Sequence, residues 1–241
     1  MTNWAEIART KNVHAVRTAA GELDVNERDS RGRTPLMLFM TYKLPTEAVE
    51  ILLEKGAEIE VTDKMGETAL LKAIKFQQEG AVKLLLKYGA RIDSPRGIRA
   101  TPWNAAASRG DRAVADLLME TRGAIRLTLS AEEQQKLDAL LYEEDREKAL
   151  EAVRNLDSAV LLHAFVNGYN WDDGPELMFA AMESPACAEI TLLDMYDLAD
   201  GDYWLELRKE EYADDEERTA FRKLAENLRS RLQASMSEPD R

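Results

Sequence analysis

Two histidines, one cysteine and an excess of carboxylates are the side chains from which any catalysis by this chain must be assembled. His163 lies in an apolar stretch shortly before Asp172 and Asp173. An imidazole oriented by a carboxylate would serve as a general base or as half of a metal site. The competing reading makes His163 a hydrogen-bonded core residue. Asp172 and Asp173 then cap a helix opening at Pro175, where negative charge suits the helix dipole. The run Asp194-Met-Tyr-Asp-Leu-Ala-Asp200-Gly-Asp202 is a candidate calcium loop until its register is tested. With Gly201 at the sixth loop position, the first, third and twelfth positions fall on Tyr196, Leu198 and Leu207, where oxygen ligands are required. The lone Cys187 has no disulfide or zinc partner and reads as a small buried hydrophobe. No phosphate-binding loop, dinucleotide fingerprint, zinc-ligand spacing or nucleophile elbow occurs. The expectation is a protein that is not an enzyme and uses no cofactor and no metal.

Recognition chemistry is better represented. Residues 189–217 hold 12 Asp and Glu against Arg208 and Lys209, interleaved with Tyr196, Tyr203, Trp204 and Tyr212. Rings supply desolvated anchors, and carboxylates steer a basic partner and speed its encounter. The bland alternative is an ordinary solvated helix face. The interface reading names Asp200, Asp202, Tyr203, Trp204, Glu210 and Glu211 as contacts for a protein partner.

The chain's 241 residues suffice for one large domain or two modest ones, and 45 acidic against 32 basic side chains give a net charge of −13. That charge argues against nucleic-acid binding, which needs a Lys/Arg surface. It is unevenly distributed: residues 1–124 carry 19 basic and 17 acidic side chains, whereas residues 125–241 carry 13 and 28. No apolar run is long enough to span a membrane, and the N-terminus lacks the basic and apolar regions of a signal peptide. A cytoplasmic location is expected.

The elements that position these residues begin with a repeat. Asp29-Ser-Arg-Gly-Arg-Thr-Pro-Leu36, Asp63-Lys-Met-Gly-Glu-Thr-Ala-Leu70 and Pro95-Arg-Gly-Ile-Arg-Ala-Thr-Pro-Trp103 align, with threonines at 34, 68 and 101. Each threonine is read as the cap of a short helix. A second, apolar helix follows and ends near Gly56, Gly89 or Gly123. Neither helix buries its stripe alone, so successive copies must stack. The pattern resembles ankyrin repeats, with a capping repeat before three degenerate copies, although the family's inter-repeat histidine is absent. The resemblance implies a solenoid over 1–124 that binds proteins through its hairpin tips, where Arg31, Arg33, Lys64 and Arg99 stand. These arginines could equally face the chain's own acidic half.

Beyond Gly123 the reading is all-α: a small acidic helical domain over 125–234 and a flexible tail over 235–241. Ser130-Ala-Glu-Glu133 is a capping box, and Phe221, Leu224, Leu228 and Leu232 form the apolar face of a last helix over 214–234. The block running from Leu162 through Asn170-Trp-Asp-Asp-Gly174 is similar to one in an uncharacterised bacterial domain family whose members often sit near polymorphic-toxin loci. That resemblance implies a bacterial origin and no chemistry. The combined expectation is a non-catalytic protein-binding molecule, in its sharper form an immunity protein. It would neutralise a basic toxin or effector, such as a nuclease, by mimicking the phosphates that a nuclease groove holds. The alternatives are a cytoplasmic ankyrin adaptor or regulatory scaffold, and an enzyme using His163 and Asp173.

Overall fold

The computed structural model describes residues 3–94, 96–121, 123–126 and 128–237. Among them the regular elements are fifteen α-helices and three single-turn 3-10 segments, with no strand. They pack into two compact units, the first comprising 3–92 and 102–118 and the second 93–101 and 119–237. The segment 93–101 contains the third hairpin tip of the repeat pattern, so that tip is grouped with the second unit.

The first unit is built from helix pairs: α1 (Trp4–Thr10) with α2 (Val13–Glu22), α3 (Pro35–Tyr42) with α4 (Thr46–Glu54), α5 (Ala69–Lys75) with α6 (Glu79–Lys87), and α7 (Pro102–Ala107) with α8 (Arg112–Met119). The first members pack in one row, α1 on α3 on α5 on α7, while α2, α4 and α6 form a second. The expected caps explain where the helices start. The Thr34 hydroxyl accepts the Met37 N–H at 3.4 Å, with Pro35 at the first helical position, and Thr68 accepts the Leu71 N–H at 3.3 Å. Gly56, Gly89 and Gly123 have φ of 81°, 89° and 89°, which turns the chain out of the second helix at little steric cost. Leu36, Phe39, Met40, Leu52, Ile74 and Leu85 are fully buried between the rows. Each is worth about 1.5–3 kcal/mol relative to exposure. Trp4 closes the N-terminal end, edge-on to Phe39 at 6.0 Å, with its indole N–H donating to the Asp24 carbonyl at 2.7 Å.

The second unit contains α9 (Ala131–Leu141), α10 (Arg146–Arg154), α11 (Ala159–Gly168), α12 (Glu176–Glu183), α13 (Glu189–Leu198), α14 (Gly201–Glu206) and α15 (Glu216–Ser237). Its core gathers Val153, Leu162, Phe165, Met178, Ile190 and Leu224. The capping box forms as read: Ser130 Oγ accepts the Glu133 N–H at 3.3 Å, and Glu133 accepts the Ser130 N–H at 2.8 Å. The Arg126 guanidinium also pairs with Glu133, and together with the cap it holds that carboxyl down at about 2. Helix α15 packs against α12, α13 and α14 and runs to Ser237; the last four residues of the expected tail, 238–241, lie outside the described residues.

Helix α14 is a separate element inside what reads as one charged stretch. Asp200 takes φ +53°, a left-handed conformation that Asp tolerates better than most residues, and breaks α13 from α14. Gly201 follows beneath the Tyr196 ring, where a Cβ would stand 2.5 Å from a ring carbon.

Candidate functional site

In the first unit the hairpin tips are held by their own charges. Asp29 accepts the Arg31 and Arg33 N–H groups at 2.9 Å each, and the Arg33 Nε donates to it at 2.8 Å. Asp63 repeats the pattern with Met65 and Glu67, and Lys72 Nζ reaches it at 2.6 Å. Burial works to raise the Asp63 carboxyl, but Lys72 and the two N–H groups overcome it and hold the group below its ordinary range. Lys72 also meets Glu67 at 2.7 Å, and Glu67 binds Lys75 at 2.7 Å. The Lys64 N–H donates to the Arg31 carbonyl at 3.0 Å, linking the two tips. Arg31, Lys64 and Met65 stand exposed on them, and Arg31, Arg33 and Lys64 line a concavity of about 510 Å³ with Met65, Lys75 and Phe76.

The third tip is different. Ser94 stands where the other tips have Asp, and a 3-10 turn at Ile98–Ala100 follows Gly97. The Thr101 hydroxyl donates to the Ile98 carbonyl at 2.7 Å. Ile98 packs against the second unit's core, and the Asp93 carboxylate accepts the Glu189 N–H at 2.9 Å. Arg99 is exposed on this turn, in the second unit and not with Arg31, Arg33 and Lys64.

The second unit carries a cleft of about 550 Å³ between the turn at Trp171–Asp173, helix α14 and the start of α15. Its aromatic wall is continuous with the core. Phe165 meets Tyr169 at 5.6 Å, Tyr169 meets Trp171 at 5.9 Å, Trp171 meets Phe221 at 6.5 Å, and Phe221 stacks on Trp204 at 5.1 Å and 10°. Tyr203, edge-on to Trp204 at 5.0 Å, ends the series and is 48% exposed. Facing these rings are Asp172, Asp200, Asp215 and Glu217, with Arg218 among them. Arg218 pairs with Asp215 at 3.4 Å, whereas Asp172, Asp200 and Glu217 have no ion-pair partner among the described residues.

The wall is fixed from behind. Trp204 Nε1 donates to the Ala199 carbonyl at 2.8 Å. Arg222 donates to the carbonyls of Trp204, Leu205 and Leu207 at 2.8, 3.3 and 3.1 Å, satisfying the exposed C-terminus of α14, while its guanidinium lies 4.7 Å from the Tyr212 ring centre. On the opposite side the Tyr169 hydroxyl donates to the Gly174 carbonyl at 2.8 Å, and Arg146 donates to the Asp173 carbonyl at 3.0 Å and to Glu176 at 2.7 Å. The Asn-Trp-Asp-Asp-Gly block is therefore a pinned turn that presents Trp171 and Asp172 to the cleft.

Of the residues named from sequence, Asp200, Tyr203 and Trp204 line this cleft together. Asp202 instead accepts the Tyr196 hydroxyl at 2.6 Å, an arrangement that, with burial acting first, pushes the phenol up to about 12. Glu211 folds back onto Arg208, accepting its N–H at 2.9 Å, and Glu210 is exposed beside it in the 3-10 turn Lys209–Glu211. Of the four rings in 189–217, only Tyr203 is exposed; Tyr196, Trp204 and Tyr212 are half-buried.

Two expectations need correction. Asp172 and Asp173 do not cap α12: its capping position is Pro175, with no side-chain cap, and both aspartates sit in the preceding 3-10 turn, which Asn170 caps. The carboxylate facing His163 is Asp194, not Asp173. His163 is buried, with Nδ1 3.2 Å from the Thr191 hydroxyl and Nε2 3.5 Å from Asp194. Burial lowers its pKa against the pull of Asp194, so it is a satisfied core imidazole linking α11 to α13. Cys187 is packed against the core, and burial raises its thiol to about 11. No cluster of three metal-ligating side chains occurs among the described residues, and no helix there is long and apolar enough to cross a membrane.

Residues 5–96 match the family model for ankyrin repeats (3 copies). The first unit carries ankyrin repeats. Residues 157–232 match a second model, a domain of unknown function (DUF4274), which spans the cleft. An ankyrin repeat protein of Acanthamoeba polyphaga mimivirus is 37% identical over 70 residues, 29% of this chain and 17% of its own length. The mouse (Mus musculus) Ankyrin repeat domain-containing protein 63 is 30% identical over 143 residues, 57% of this chain and 37% of its own length. The mouse B-cell lymphoma 3 protein homolog is 32% identical over 92 residues, 38% of this chain and 20% of its own length. The chain thus spans well under half the length of these relatives.

The sequence reading missed Phe221, which stacks on Trp204, and Trp171, which meets Phe221. Phe221 carries the helical spacing of a core residue, and nothing local says that its ring faces a cleft. The signal for Trp171 was present in its block, but its contact lies far along the chain.

Proposed function

We propose that the chain is a non-catalytic binding protein whose DUF4274-matching unit engages a basic protein through the aromatic and acidic cleft of Trp171, Tyr203, Trp204, Asp200 and Glu217. The observation that carries this reading is a ring series that ends in the exposed Tyr203, set beside carboxylates that lack ion-pair partners among the described residues. Rings give a desolvated anchor, and unpaired carboxylates give a field that attracts cations. The sharper form is a bacterial immunity protein that neutralises a cognate toxin or effector. The −13 net charge and the block around Asn170, similar to one found near polymorphic-toxin loci, support it. Co-expression tests it: one stoichiometric basic toxin should lose its toxicity in the presence of the chain, and the Asp200→Lys, Glu217→Lys double variant should fail to protect. Association should slow steeply as salt rises. Protection undiminished by both charge reversals would remove the cleft from the mechanism.

A second reading, an ankyrin adaptor, rests on the 510 Å³ concavity beside Arg31 and Lys64 and on Met65, whose side chain is 74% exposed. Arg31→Ala with Lys64→Ala should abolish partner binding if that surface is the one used. Recovery of several unrelated partners would favour the adaptor over immunity.

A further inference from the structure

The cleft's chemistry is specific enough to name the group it takes. Trp204 lies parallel to Phe221, Tyr203 stands at 75° to Trp204, and Leu198, 44% exposed, lies on the same lining. Leu198 and Tyr203 are two of the four exposed large hydrophobic side chains among the described residues, and both are at this one cleft. Such an environment suits a cation with a flat, weakly hydrated face. Guanidinium is planar, stacks on rings and offers a fork of donors to carboxylates, whereas an ammonium is a compact and strongly hydrated point charge. The same unit already uses this chemistry, with Arg222 over the Tyr212 ring while donating to three carbonyls. Arg218 at the cleft engages Asp215 and leaves Asp200 and Glu217 open.

We infer that the cleft takes an arginine side chain presented by the basic protein partner, its guanidinium against Tyr203 and Trp204 and its N–H groups received by Asp200 and Glu217. The inference rests on the acidic-cleft reading of partner binding and goes beyond it by choosing arginine over lysine.

Fluorescence anisotropy with labelled arginine and lysine homopeptides of equal length, titrated with the full chain, tests it. The arginine peptide should bind about tenfold more tightly. Tyr203→Ala, at an exposed position, should erase that preference. Asp200→Asn should weaken the arginine peptide more than the lysine peptide, because Asn keeps the left-handed backbone. Arg218→Ala should tighten the arginine peptide by removing a like charge. Equal affinity for the two peptides, both weakened by Asp200→Lys with Glu217→Lys, would overturn the arginine choice and leave the acidic cleft standing. A preference that survives both Tyr203→Ala and Trp204→Phe would place the arginine elsewhere and also overturn it. Binding of neither peptide would remove this inference and the cleft reading together.

Discussion

The first two ankyrin tips and the cleft of the second unit use charge in opposite ways. At the first two ankyrin tips, carboxylates close on neighbouring cations and backbone N–H groups: Asp29 on Arg33, Asp63 on Lys72, Glu67 on Lys72 and Lys75. In the second unit several carboxylates around the cleft answer no cation among the described residues. Acidic side chains in the first region hold the fold, so altering them should cost stability. Asp172, Asp200 and Glu217 at the cleft make no ion pair among the described residues, so altering them should cost the fold little. Residue counts alone, 19 basic and 17 acidic in 1–124 against 13 and 28 in 125–241, do not separate these roles.

The largest expected effect is at Lys72. Its side chain is 6% exposed and that of Asp63 4%, so Lys72→Ala strands a buried carboxylate and should cost about 3 kcal/mol in urea unfolding. A loss under about 1 kcal/mol would mean that the tip N–H groups satisfy Asp63 unaided. Next is Arg222→Ala, which frees three carbonyls at the end of α14 and should cost about 2 kcal/mol while loosening the cleft wall, read from the Trp204 fluorescence. Ser130→Ala removes one half of the capping box and should cost about 1 kcal/mol. Its partner Glu133 gives the same contact a pH signature. The folded carboxyl lies at about 2 against an ordinary 4.5, so its stabilisation is complete above the ordinary value and is lost as pH falls through about 2. Glu133→Gln should flatten that part of the acid-unfolding curve. The smallest effect on stability belongs to Asp200→Asn with Glu217→Gln, within about 0.5 kcal/mol, although this pair should weaken a basic partner strongly. A large stability change there would break the contrast between the tips and the cleft.

The repeat was legible because its determinants are local and periodic: a threonine that caps, a glycine that turns left-handed, and an apolar run between them. Helices α9 and α15 were legible for the same reason, through Ser130 with Glu133 and through the spacing of Phe221, Leu224 and Leu228. What escaped depends on contacts distant in sequence. Asp194 faces His163 from the next packed helix, while Asp173 is nearer along the chain. The cleft joins Trp171 to Phe221 and Trp204, and no periodicity reports that meeting. The separation of α14 from α13 hangs on the backbone of one residue, Asp200, inside a stretch whose composition is uniformly acidic.

The third ankyrin tip has a consequence for how the chain can be divided. Because 93–101 packs with 119–237 while 102–118 packs with 3–92, the chain passes between the units at three places. No single cut releases either unit whole: a gene fragment beginning at residue 125 would lose Ile98 from the core and the Asp93 anchor of α13. The second unit is therefore whole only when residues 93–101 accompany 119–237.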